Sequence, residues 1–209
     1  MTESPHDYIA FEGSKRIAAG TLQQVALKAK HAIDTRPHAR ILVFDQATGE
    51  SIDFDHRGTP EQMLKKLVSV PAGARTHMEP PEKTAPPGPG RPRLGVVARE
   101  VTLLPRHWEW LNTQPGGASV SLRKLVEQAR RVNQSKDSVR LAQETSYRFM
   151  SAMAGHRTGF EEAARALFAA DRDRFKALLA PWPADIRAHL EKLSAAAFEA
   201  QPVPDGRDA

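Results

Sequence analysis

The sequence predicts an α+β protein: a small N-terminal α/β unit of order ββαββα, a Pro-rich linker, and a mostly helical C-terminal region opened by a strand. Three observations predict it. Short apolar runs bounded by turn residues fill 1–70, and seven prolines crowd residues 71–95. From about residue 106 onward, apolar residues recur at helical spacing almost to the end.

The N-terminal elements follow in order. Residues 8–12, YIAFE, and 16–19, RIAA, are apolar runs separated by GSK, which reads as a hairpin. From Thr21, TLQQVALKAKHAI places Leu22, Val25, Ala29 and Ile33 at helical spacing, with Thr21 as N-cap. RILVF at 40–44 is a run of β-formers, DQATGE is a turn, and SIDFD at 51–55 alternates apolar and polar. TPEQMLKKLV opens a second helix, with Thr59 before Pro60 in its first turn.

Residues 71–95, PAGARTHMEPPEKTAPPGPGRPRLG, hold too much proline for a helix and too few backbone donors for a ladder. They read as a basic linker and a domain boundary. VVAREVTLLP follows as a β-rich run, expected as a strand over 97–104. RHWEWLNTQ is a short helix, PGG ends it, and ASVSLRKLVEQARRVNQS is amphipathic, with Leu122, Leu125, Val126 and Ala129 on one face. Trp108 and Trp110 cannot share one helix stripe, so one is expected in the core and the other at a dimer contact, the alternative being an exposed aromatic. Helices continue through SVRLAQETSYRFMSAMAG, which stops at Gly155, then FEEAARALFAA, DRDRFKALLA and PADIRAHLEKLSAAAF. Pro181 and Pro183 separate the last two, and 201–209 reads as a frayed tail. The expected divisions are 1–70, 71–95, 96–200 and 201–209.

The formal net charge of +5 is unevenly spread. Residues 1–70 hold 9 Lys+Arg against 9 Asp+Glu, residues 136–209 hold 11 against 11, and residues 71–135 hold 10 against 5. The entire excess lies in the middle third, which points to an anionic partner for that third. There is no cysteine, which excludes disulfides, thiol catalysis and thiolate metal sites and fits a cytoplasmic protein. No apolar run approaches the roughly 20 residues needed to cross a bilayer, so no membrane partner is expected. The start, MTESPHDYIAFEG, lacks the basic-then-apolar pattern of a secretory signal.

GASVSLRKLVEQA at 117–129 resembles the second helix of ribbon-helix-helix DNA-binding proteins. Gly117 can take the backbone needed to stop the first helix, and Ser119 can cap the second. A helix start of this kind is a phosphate site. The resemblance implies that two chains pair their strands into a ribbon in the major groove, that dimerisation is obligatory, and that Arg99, Ser119, Arg123 and Lys124 contact DNA. The strand departs from the pattern. Val97, Arg99, Val101 and Leu103 share one face, and Ala98, Glu100, Thr102 and Leu104 the other, so either register exposes apolar residues or turns Glu100 toward phosphates. An ordinary α/β or helical-hairpin fragment is the alternative. PGRP at 89–92 resembles an AT-hook core, which implies a minor-groove arm carrying Arg91 and Arg93.

Over its whole length the chain also resembles an uncharacterised bacterial family, domain of unknown function 2239. YIAFEGSKRIAAG, ILVFDQATGESIDFDHRGT and GRPRLGVVAREVTLLPRHWEWL carry the likeness. It implies a bacterial source and supplies no activity.

Asp45, Asp53, Asp55 and His56 form the one notable acidic/His cluster; Asp53 and Asp55 are expected on one strand face. It reads most simply as a solvated strand face ending in a turn. No glycine-rich phosphate loop and no recognised catalytic motif is present, so no catalytic residue, metal or cofactor is expected. The expected function is DNA binding by a homodimeric transcriptional regulator with an AT-hook-like arm. The alternative is a non-enzymatic protein–protein adaptor that dimerises through the same strand.

Overall fold

A computed structural model describes residues 7–53, 55–69 and 99–199. The linker expected over 71–95, the residues Arg91 and Arg93, and the tail 201–209 lie outside the described residues.

The N-terminal elements are strands β1 (Tyr8–Glu12) and β2 (Lys15–Gly20), helix α1 (Leu22–Thr35), strands β3 (Ile41–Asp45) and β4 (Ser51–Ile52), and helix α2 (Pro60–Ser69). They follow the expected ββαββα order. The strands form one antiparallel sheet in the order β2-β1-β3-β4. Both helix starts use the same device. Thr21 accepts from Gln24 N while the Gln24 side chain accepts from Thr21 N, and Thr59 and Gln62 repeat the arrangement. Each pairing satisfies two backbone donors that a helix start leaves open.

The helices that follow are α3 (Pro105–Thr113), α4 (Gly117–Ala154), α5 (Phe160–Phe168), α6 (Arg172–Leu179) and α7 (Ala184–Leu193), ending in a 3₁₀ turn at Ala195–Phe198. Two segments that the sequence presented separately, up to Ser135 and from Ser138, are one 38-residue helix. Nothing between Ala118 and Ala154 is Gly or Pro, so no backbone feature stops it.

The strand expected over 97–104 is corrected: among the described residues, 99–104 carry no strand and run irregularly into Pro105. A strand needs a neighbour to satisfy its ladder, and no other segment among the described residues supplies one here.

Strand alternation decides where the core lies. Ala10 and Val43 point to one face of the sheet and pack with Val25 and Ala29 of α1. Ile9, Phe11 and Phe44 point to the other and pack with Phe149 and Met150 of α4, Leu167 of α5, Phe175 and Leu179 of α6, and Ile186 and Leu190 of α7. The ring of Phe149 sits 5.4 Å from Phe11 and 4.9 Å from Phe44. Each such buried aromatic stabilises the fold by about 1.5–3 kcal/mol relative to leaving it in water.

The sheet is therefore covered on both faces: one side holds a small core within residues 1–70, and the other packs against the C-terminal helices. The compact units are 1–70 with 133–209, and 71–132. Proline content alone does not say which of the segments flanking the prolines meet. Polar links fasten the first unit. Thr145 Oγ1 donates to Ala47 O at 3.1 Å, Arg148 to Thr48 O at 3.1 Å, and Arg16 N to Asp185 Oδ2 at 2.8 Å.

Candidate nucleic-acid interface

The basic middle third survives in the described residues 99–132 as Arg99, Arg106, Arg123, Lys124, Arg130 and Arg131 against Glu100, Glu109 and Glu127. Glu127 accepts from Arg130 at 3.4 Å and lies 3.6 Å from Arg131, so one carboxylate is shared by two guanidinium groups. Arg123 and Lys124 are exposed and pair with no acid among the described residues.

Helix geometry sorts these residues. At 3.6 residues per turn, Arg123, Arg130, Lys124 and Arg131 cluster on one side of α4 around Glu127. Leu122, Leu125, Val126, Ala129 and Val132 fall on the opposite side. Among the described residues nothing covers that apolar stripe. Leu125 is 42% exposed, Val126 57% and Val132 69%. Val101, Leu104, Trp108 and Trp110 are exposed as well, while Leu111 is the one apolar side chain of 99–132 that is buried. The expectation that one of Trp108 and Trp110 sits in the core is corrected: neither is buried. A segment of this size presents too few apolar residues to bury them by itself.

The proposed cap at Ser119 is also corrected. Gly116 and Gly117 both take left-handed φ, +87° and +75°, and α4 begins at Gly117. Ser119 thus lies exposed within the first turn, not ahead of it. Two successive glycines reverse the chain over fewer residues than the sequence pattern assumed. Arg99 is exposed in the irregular stretch before α3. The structure places Ser119, Arg123 and Lys124 together on the early turns of one helix, and Arg91 and Arg93 lie outside the described residues.

The acidic/His cluster does not assemble. β4 ends at Ile52, so Asp53 and Asp55 do not share a strand face. Asp45 is buried, and its carboxylate accepts from Ala47 N at 2.7 Å and Thr48 N at 3.3 Å, closing the β3–β4 turn. Asp55 accepts from Arg57 N at 3.0 Å. Among the described residues no group of three or more His, Asp or Glu side chains could hold a metal ion.

Sequence reasoning passed over two buried titratable groups. Lys30 lies within the buried stripe of α1, and His189 lies between Phe11 and Phe149 with ring centroids 5.9 and 4.6 Å away. Burial, followed by repulsion from Lys192 and Arg16, pushes the His189 imidazole down to about 4. The signal was present in both cases. Val25, Ala26, Ala29, Lys30 and Ile186, His189, Leu190, Leu193 each set a polar residue at core spacing.

Among the described residues no helix is long and apolar enough to cross a membrane. The fold defines an α+β protein with a small antiparallel sheet and a mostly helical C-terminal region. The chain belongs to a family described as an uncharacterised protein conserved in bacteria, DUF2239, whose model matches residues 7–194. No curated protein and no solved structure matches the chain.

Proposed function

We propose that this chain binds double-stranded DNA as a homodimer through residues 99–132, acting as a transcriptional regulator in the bacterial cytoplasm. One observation carries the reading: the early part of α4 turns a basic side and an apolar stripe, uncovered among the described residues, in opposite directions. The two sides suit two partners. A second copy covers Leu125, Val126 and Val132, while Arg123 and Lys124 of both copies neutralise phosphates. Arg99 and Ser119 add contacts, and Arg91 and Arg93 form the arm that the PGRP sequence suggests. The reading does not require a β-ribbon, since the stripe on α4 supplies a dimer contact by itself.

The test is fluorescence anisotropy against salt for the wild type and an Arg123→Ala/Lys124→Ala double variant. Each phosphate neutralised contributes about 0.9 to the slope of log affinity against log salt, so four lost cations in a dimer reduce it by up to about 3–4. Equal slopes remove these residues from the interface and the reading with them. A non-enzymatic adaptor is the second reading, favoured by Trp108 and Trp110, both exposed on α3. Aromatic side chains of this size are common anchors of protein interfaces and are not needed for phosphate contact.

A further inference from the structure

Where the sheet's β4 edge meets the C-terminal end of α1, the structure has a cavity of about 430 Å³. That volume falls within the range of small-ligand sites. Ile33, Ile41 and Ile52, each half-buried, give it apolar walls. Arg40 and Asp53 line the same cavity. The Arg40 guanidinium and the Asp53 carboxylate are exposed and pair with no group among the described residues, each other included.

His56 also lines the cavity, and its backbone is fixed from below. Lys30, with 8% of its side chain exposed, donates to His56 O at 3.1 Å and lies 3.0 Å from Asp34 Oδ2. A buried ammonium is costly unless paired and hydrogen-bonded, and Lys30 is both. The His56 backbone on the rim is thereby tied to α1. The Arg40 backbone is held as well: its carbonyl accepts from Gly13 N at 2.9 Å.

A cation and an anion on the rim of one cavity with isoleucine walls match a ligand that carries both opposite charges. We propose that this cavity binds an apolar α-amino acid, with its carboxylate at Arg40, its ammonium at Asp53 and its aliphatic side chain among Ile33, Ile41 and Ile52. The proposal does not depend on the DNA reading, because none of these residues lies in 99–132.

The experiment is calorimetric titration of the full chain with L-leucine, 4-methylpentanoate, which lacks the ammonium, and 3-methylbutylamine, which lacks the carboxylate. Backbone NMR shifts locate the site. Leucine is expected to bind, with shifts at Ile33, Ile41 and Ile52. Each analogue is expected to bind on the order of tenfold more weakly or worse, since each gives up a charge-assisted hydrogen bond. Arg40→Gln is expected to erase the preference over the amine, and Asp53→Asn the preference over the acid. Both substitutions sit on exposed side chains, so the thermal midpoint is expected to stay unchanged. No binding of leucine, isoleucine, valine, methionine or phenylalanine at millimolar concentration overturns the proposal. So does affinity that neither substitution alters, or an analogue that binds as well as leucine.

Discussion

Gly49 shows how a single residue can fix the approach of two elements. Its φ is +70°, and a Cβ built on it would lie 2.2 Å from the Thr145 carbonyl oxygen. That neighbour is helix backbone and cannot rotate away. Gly49→Ala is expected to destabilise the fold by about 2–4 kcal/mol, combining left-handed strain with the clash. Urea denaturation measures it; a change under 0.5 kcal/mol would mean that the turn and α4 can separate freely. His189 sets a pH limit. Its folded value, about 4, lies below the ordinary 6.5, so the unfolded chain binds the proton more readily. Stability from this group is fully present above about pH 6.5 and is lost as pH falls toward 4, about 3 kcal/mol in all. In His189→Leu that part of the acid slope is expected to vanish. Denaturant midpoints across pH 4–7 decide it, and an unchanged slope assigns the acid sensitivity to other groups.

At the scale of elements, α4 changes character along its length. From Val139 onward the helix contributes to the core, through Ala142, Phe149, Met150 and Met153, whereas residues 123–138 are exposed throughout. An exposed helical stretch with an apolar stripe gains most of its stability from whatever covers that stripe. Replacing Leu125 and Val126 with serine is therefore expected to leave the thermal midpoint of the dilute chain nearly unchanged and to abolish self-association. Light scattering at micromolar concentration reads the second effect. A wild type that stays monomeric there removes the homodimer from the proposal. The stripe was legible from Leu122, Leu125, Val126 and Ala129 alone. That nothing in the described residues covers it was not.

At the scale of the whole molecule, the sheet and the C-terminal helices are one folding unit. Phe11 and Phe44 are two of the three rings that meet Phe149, so a chain lacking residues 1–69 leaves that side of α4, α6 and α7 open. Such a truncation is expected to lose the cooperative thermal transition by circular dichroism. The Pro-rich stretch alone suggested the opposite, a C-terminal region that stands by itself. A truncated chain that still melts sharply would restore that division.

What the sequence determined by itself was local. It set the ββαββα order, the helix starts at Thr21 and Thr59, and the helices after Pro105, because side-chain hydrogen bonds and periodic apolar residues act over a few positions. It also located the excess of positive charge. Only the tertiary structure decided that the sheet is buried on both faces, that Asp45 closes a turn while Asp53 faces a cavity beside Arg40, and that His189 lies between two phenylalanine rings. These depend on contacts between residues as far apart as Phe11 and His189. A one-dimensional pattern records which residues can be buried, but the partner across the core is chosen by the geometry of the folded chain.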